Sequence, residues 1–328
     1  MSYVLRRLGF YVVAAWVAVT MNFLLPRMMP GDPATAMMAR FEGQVSPEAL
    51  EALRETFALT DDPLWIQYIQ YVRNTFAGDL GISVAFFPAP VTDVIGTGLM
   101  WTCVLAGSAL VISFTLGTIL GVISAWRRDS PWWGRMLPPA LALLGAFPYF
   151  WLAMLALWLF GFTLGWFPLR HAYGDAYDPG WNLPFLVSAT KHAILPAATI
   201  VLATLGNWLL RMRNNMISVL GEDYIALARA KGLADHRILI HYAARNAVLP
   251  SVTGFGMALG FVVSGSLLTE IIFAYPGQGY LLIQAVRTQD FALMQGLFLA
   301  ITFAVLAANW IVDVLYMWLD PRTRSSRS

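Results

Sequence analysis

Six stretches of this chain contain no Asp, Glu, Lys or Arg: residues 8–26, 94–126, 136–169, 192–210, 246–269 and 291–312. A helix crosses a bilayer with about 20 consecutive apolar residues, so each stretch is long enough for one crossing. The second and third are longer than one helix needs but too short for two helices and a turn. The expectation is therefore an all-α, polytopic membrane protein with six transmembrane helices. Composition agrees: of 328 residues, 58% are hydrophobic and only 12% charged, where a soluble domain carries about 25% charge. A chain so poor in charge cannot cover itself for water.

Lys and Arg set the orientation, because they collect in cytoplasmic segments. With the N-terminus inside, fourteen of the 21 basic residues fall in inside segments and seven in outside ones. Both termini are accordingly expected in the cytoplasm of a cell whose inner, or plasma, membrane holds the chain. Arg6 and Arg7 precede the first uncharged stretch much as they would in a secretory signal. That stretch is longer than a signal core and no small-x-small cleavage site follows it, so it reads as a retained helix. The single cysteine, Cys103, excludes an intrachain disulfide.

Four regions follow: an N-terminal tip and first span (1–26), an external helical region (27–93), a five-helix core (94–318) holding a cytoplasmic loop at 211–245, and a tail (319–328). In the external region Ser46-Pro47 has the form of a helix start. Leu50, Leu53 and Phe57 then make an apolar stripe opposite Glu48, Glu51 and Glu55. A second helix is expected from Asp62-Pro63, with Trp65, Ile69, Val72 and Phe76 on one face and Gly78 at its end; the two helices together are expected to form a small cap lying on the outer membrane surface.

Several chemistries lack their residues. The two lysines, Lys191 and Lys231, follow Thr190 and Ala230, so no Gly-Lys phosphate-binding loop is present. His236 and His241 lie five apart, roughly 140° around a helix, and do not share a face as a metal pair would. His171 and His192 sit in or beside an expected outer loop. No motif places a serine beside a histidine and an acid. Catalytic residues, bound metal, a resident cofactor and a nucleic-acid partner are all absent from the expectation, and the lipid bilayer is the one surrounding the composition demands. Ionisable groups deep in a span mark proton or ion paths. Glu270 and Asp313 stand at span ends, where water or a headgroup is in reach. Asn22 and Asn309 read as interhelical hydrogen-bonding groups. Asn207 shares its helix with Arg211, and these two are the candidate translocation-path residues.

The loop 211–245 has internal order. Glu222 and Asp223 open a short run, Arg229 and Lys231 close it, and Gly232 follows. Acid first, base last and glycine at the stop suit a helix and its dipole. Ala226, Ala228 and Ala230 make that helix slim. Asp235 then stands where it caps a second helix over 236–249, closed by Pro250. Two readings remain open on spacing alone: a docking knob, or a basic loop explained by topology.

The stretch DYIALARAKGLADHRILIHYAARNAVLP (223–250) resembles the cytoplasmic signature loop of binding-protein-dependent ABC importer permeases, in particular the B-type permease of the dipeptide and oligopeptide importers. PGDPA (30–34), GDLGIS (78–83), PVTDVI (90–95), TEIIFAYPGQG (269–279) and LDPR (319–322) match the same family in order along the chain. The resemblance implies that the loop is a coupling helix seated on an ATP-binding subunit. Ala228 and Gly232 fall on the second alanine and the glycine of the Glu-Ala-Ala-x-x-x-Gly pattern. The sequence departs from that pattern at Ala226, the glutamate position, and at Leu227. Asp223, Tyr224, Arg229 and Lys231 are the polar docking candidates. The resemblance further implies a second, similar permease, two ATP-binding subunits carrying ATP and Mg, and an external solute-binding protein. Implied cargoes are peptides, metal complexes or oligosaccharides, moved by alternating access. An ion-coupled secondary carrier and an integral membrane enzyme are the rival classes.

Overall fold

The computed structural model describes residues 2–28, 62–262 and 267–319. The described residues form helices, turns and one isolated bridge between Ile82 and Pro90, with no strand among them. The all-α expectation holds. The expected helix at 46–57, the PGDPA motif and most of LDPR lie outside the described residues.

In chain order the helices are α1 (Ser2–Met28), α2 (Leu64–Ala77), α3 (Val91–Trp126, with a π turn at Cys103–Gly107), α4 (Pro131–Ala146), α5 (Tyr149–Thr163) and α6 (Leu183–Leu220). They continue with α7 (Asp223–Ala230), α8 (235–247), α9 (Leu249–Val262), α10 (Leu267–Ile272), α11 (Gln278–Arg287) and α12 (Phe291–Leu319). Among the described residues, α3 (36 residues) and α6 (38 residues) are long and apolar enough to cross a membrane unaided. Gly9–Leu24, Leu249–Leu259 and Phe291–Ala307 are shorter apolar stretches.

The third uncharged run departs from expectation. It is not one helix: α4 and α5 meet at a 92° bend. Pro148 causes the break, because it disfavours helical geometry in the residue before it and has no N–H to give. Phe147 is accordingly extended, at φ −74° and ψ 140°.

The chain forms two compact units. One comprises Met1–Thr102, Val263–Leu267 and Pro276–Ser328, and its apolar core joins Val91, Val94 and Ile95 of α3 to Leu281 and Ala285 of α11 and Leu293, Met294 and Leu297 of α12. Polar groups are buried around it. Asp290 is fully buried and takes three donors: Ser83 Oγ and the Ala85 N–H at 2.9 Å on one carboxylate oxygen, and the Leu293 N–H at 2.9 Å on the other. A carboxylate is tolerated there because charge-assisted hydrogen bonds replace its water. Gln278 is buried too, its N–H donating to Thr102 Oγ1 at 2.8 Å and its amide to the Ile95 carbonyl at 3.0 Å. Asn22 donates to the Tyr71 hydroxyl and to the Gln295 carbonyl, which makes it the interhelical group expected of it.

Helix α2 forms where it is expected. It begins at Leu64 after Pro63 and ends at Gly78, which is left-handed at φ 77°. The face turned to α1 is formed by Tyr68 and Tyr71, while Trp65, Ile69 and Phe76 stand exposed. Hydrogen-bonding groups on α1, namely Thr20 and Asn22, recruit the tyrosines in place of the aliphatic stripe. Burial raises the Tyr71 phenol above its ordinary pKa.

The other unit comprises Cys103–Val262 and Leu268–Tyr275. Its centre is the crossing of α3 on α6. Ala109, Ser113, Gly117 and Gly121 form a small-residue stripe every four positions along α3, all buried. A Cβ on Gly117 would lie 2.5 Å from Trp208 Cβ, and one on Gly121 would lie 2.7 Å from the Leu209 carbonyl. Small residues let two helices pack backbone to backbone where lipid offers no hydrophobic drive. Ser113 and Thr204 hydroxyls meet at 2.7 Å across this contact. Glu270, expected to reach water or a headgroup, is instead fully buried, inside the turn that closes with the Tyr275 N–H on the Glu270 carbonyl at 2.8 Å. The Asp313 side chain lies outside the described residues.

Candidate functional site

Helix α7 is eight residues long, and its ends account for its existence. Glu222 occupies the N-cap position with extended backbone, Asp223 lies in the first turn, Arg229 in the last, and Lys231 at the C-cap. Gly232 follows at φ 73°. Its N–H donates to the Arg229 carbonyl at 2.9 Å, and the Leu233 N–H reaches back to the Ala228 carbonyl at 3.2 Å. This pair of reverse bonds is the Schellman closure, which needs a left-handed residue where Gly232 stands. The acid-to-base order and the glycine stop read from the sequence are therefore the physical ends of the helix.

The continuation differs from expectation in two ways. Asp235 does not cap α8; Ala234 holds the N-cap position, without a side-chain bond, and Asp235 is the first helical residue. Its charge still sits at the positive end of the helix dipole. Pro250 does not close α8 either. It lies in the first turn of α9, where a missing N–H costs nothing. Between these points α8 contains a π turn at Ile238–Ala244.

One side of the segment is apolar and closed. Ile225 and Ala228 of α7 and Ile238, Ala243 and Ala247 of α8 pack in one buried cluster with Met212 and Met216 of α6 and Ala125 of α3. Asn215 of α6 adds hydrogen bonds to the Ala247 carbonyl (3.1 Å) and Ser251 Oγ (3.3 Å). Asn246 donates to the Tyr224 hydroxyl at 3.1 Å, tying α7 to α8. The short helix is thus fixed to the ends of two long ones by close-packed side chains.

The other side is open. Asp223, Tyr224, Ala226, Arg229, Lys231 and Gly232 are exposed. Ala228 is not: only 3% of it is accessible, so its role is packing against the cluster. Leu227, 55% exposed, is an apolar residue in the middle of the polar face. It went unassigned in the sequence, although an uncharged leucine among exposed acids and bases was a visible signal. Asn207 and Arg211 lie one turn apart on an exposed face of α6. The Arg211 guanidinium stands 5.5 Å from the Trp208 ring centre and rests on Gly254. Among the described residues, no hydrogen bond or ion pair joins Asn207 or Arg211 to the exposed face of α7. The sequence also gave no role to Asp290, Gln278 or the small stripe of α3. An aspartate directly before an uncharged run was the available sign for Asp290.

Residues 117–325 match the family described as the binding-protein-dependent transport system inner membrane component, and residues 1–97 match the N-terminal domain of such membrane components. The chain belongs to the ABC importer permeases of binding-protein-dependent transport. Relatives of this permease align over its whole length. The di/tripeptide transport system permease protein DppB of Pseudomonas aeruginosa (strain UCBPP-PA14) is 34% identical over 100% of both chains. The dipeptide transport system permease protein DppB of Escherichia coli (strain K12) is 33% identical, again over 100% of both. A Brucella suis biovar 1 (strain 1330) protein with a provisional peptide transport system permease name is 38% identical over 97% of this chain and 98% of its own. The permease is a multi-pass inner-membrane protein and a transport component, not an enzyme. The larger family match contains α7 and everything it packs on.

Proposed function

We propose that the permease carries small peptides inward through an ATP-driven importer, and that α7 is the point at which ATP-binding subunits act on it. The observation that carries this reading is the two-sidedness of α7. Ile225 and Ala228 join the buried cluster shared with α3 and α6, while Asp223, Tyr224, Leu227, Arg229 and Lys231 face out. A partner that grips the open side moves the long helices, because close-packed interiors transmit displacement.

The six uncharged runs are the six spans, with both termini and α7 in the cytoplasm, the compartment that holds ATP. The segments between α1 and α3 and between α5 and α6 then face the solute-binding protein. A second, similar permease completes the pathway, and Asn207 and Arg211 border it. Two ATP-binding subunits hold ATP and Mg; this chain supplies neither. Closure of those subunits biases the spans between two arrangements. Peptides are favoured as cargo over oligosaccharides by the names of the full-length relatives.

The test is reconstitution with the second permease, both ATP-binding subunits and the binding protein in proteoliposomes. Uptake of a labelled dipeptide that needs ATP and every subunit is the expected result. Uptake by this chain alone down an ion gradient would overturn the proposal in favour of a secondary carrier.

A further inference from the structure

Helix α2 has three faces rather than two. Gln67, Tyr68 and Tyr71 are turned to α1: the Tyr68 hydroxyl lies 2.8 Å from Thr20 Oγ1, the Tyr71 hydroxyl accepts from Asn22, and Gln67 Oε1 accepts from Arg27 at 3.2 Å. At 100° per residue, Trp65, Val72, Phe76 and Ile69 fall within one narrow sector on the next side. Of these, Trp65 is 65% exposed, Ile69 57% and Phe76 84%. Gln70, Arg73 and Asn74 fill the remaining sector, all exposed.

The ties to α1 give α2 a depth. They run from Arg27, just past the first uncharged stretch, to Thr20 within it. Seven residues of helix span about 10 Å. Interfacial amphipathic helices bury their apolar faces about 5–10 Å into the headgroup and acyl boundary. The exposed side of α1 at the same level is apolar, with Met21 and Leu24, so the apolar sector of α2 continues a lipid-facing surface. Arg27 closes the upper end, its guanidinium 3.7 Å from the Phe23 ring centre and bonded to the Phe23 carbonyl. Trp65 has the amphipathic ring that favours headgroup level.

We infer that Trp65, Ile69 and Phe76 are seated in phospholipid, and that α2 is a lateral anchor that fixes the segment between α1 and α3 at one depth in the bilayer. The polar sector of Gln70, Arg73 and Asn74 faces water. The occupant of the apolar face is lipid and not a solute-binding protein. The depth rests on α1 crossing the bilayer, as proposed above, and not on coupling to ATP.

The experiment uses full-length chain, purified with its co-expressed partners, in a Cys103→Ser background. Single cysteines at Trp65→Cys, Ile69→Cys and Phe76→Cys, with Gln70→Cys and Arg73→Cys as the water-facing set, carry an environment-sensitive fluorophore in proteoliposomes. Emission is quenched either by brominated phosphatidylcholine or by aqueous iodide, without nucleotide or cargo. Brominated lipid is expected to quench the first three at least about two-fold more than the other two, with iodide showing the reverse order. Iodide quenching at all five positions would place the apolar sector in water and overturn the inference. Protection of the first three from both quenchers would put protein on that face and overturn it equally. Loss of transport in the labelled variants leaves the quenching readout intact, so failure here and failure of the importer reading are told apart.

Discussion

Two regions of this permease outside its long helices are built inside out relative to each other. In the α7–α8 segment the apolar side chains are buried and the charges are exposed: Ile225 and Ile238 are inaccessible while Asp223, Arg229 and Lys231 face out. Around α2 and the loop that follows it, the polar groups are inside. Asp290 and Asn22 are buried and hydrogen-bonded, and Trp65, Ile69 and Phe76 are exposed. The proposed placement, with α7 in water and α2 against lipid, accounts for the difference. In water, apolar burial drives a short helix onto its neighbours. Against hydrocarbon, leaving Trp65, Ile69 and Phe76 exposed costs little, and hydrogen bonds to Thr20, Asn22 and Arg27 tie α2 to α1.

If that contrast is right, removing Asp290 has the largest effect. Asp290→Ala leaves the Ser83 hydroxyl and the Ala85 and Leu293 amides without an acceptor, a loss of roughly 3–6 kcal/mol. It should appear as a sharply lowered unfolding midpoint in detergent and poor membrane yield. Next comes Ile225→Ala, which opens a cavity between α7 and the long helices. A large-to-small core change costs about 2–5 kcal/mol, and here uptake should collapse while ATP hydrolysis by the assembled complex persists. Gly232→Val is smaller. The left-handed backbone at φ 73° penalises a β-branched residue by about 1–2 kcal/mol. It should loosen the end of α7 and lower uptake per ATP hydrolysed, with membrane insertion unchanged. The smallest effect on stability is expected from Arg229→Ala and Lys231→Ala, within about 0.5 kcal/mol because both are exposed. Their uptake should nevertheless fall, since they lie on the face proposed to meet the ATP-binding subunits. Equal stability losses from Asp290→Ala and Arg229→Ala would break the comparison.

How much was legible beforehand divides along the same line. The helix of α7 was readable almost to the residue, because its ends are local: an acid, a base and a glycine. Its corrections are local too, with Ala234 replacing Asp235 as the cap and Pro250 opening a helix rather than ending one. The uncharged runs were equally plain, except that Pro148 breaks the third at a 92° bend. In the region of α2 the stripe of Trp65, Ile69, Val72 and Phe76 was legible as one face of a cap at the outer membrane surface. The ties of Tyr68 and Tyr71 to Thr20 and Asn22 were not, because they join residues far apart in the chain. The partners of Asp290 were not legible, since Ser83 and Ala85 come from a distant part of the chain, and nothing in the sequence marked Glu270 as buried.

The account stands or falls on which surface the ATP-binding subunits hold. A photo-activated crosslinker placed at Ala226, on the exposed side of α7, tests it directly in the co-expressed transporter, with Gln70 of α2 as the opposing site. Capture of an ATP-binding subunit from Ala226 and none from Gln70 is the predicted result. Capture from Gln70, or none from Ala226 in a complex that still transports, would contradict it.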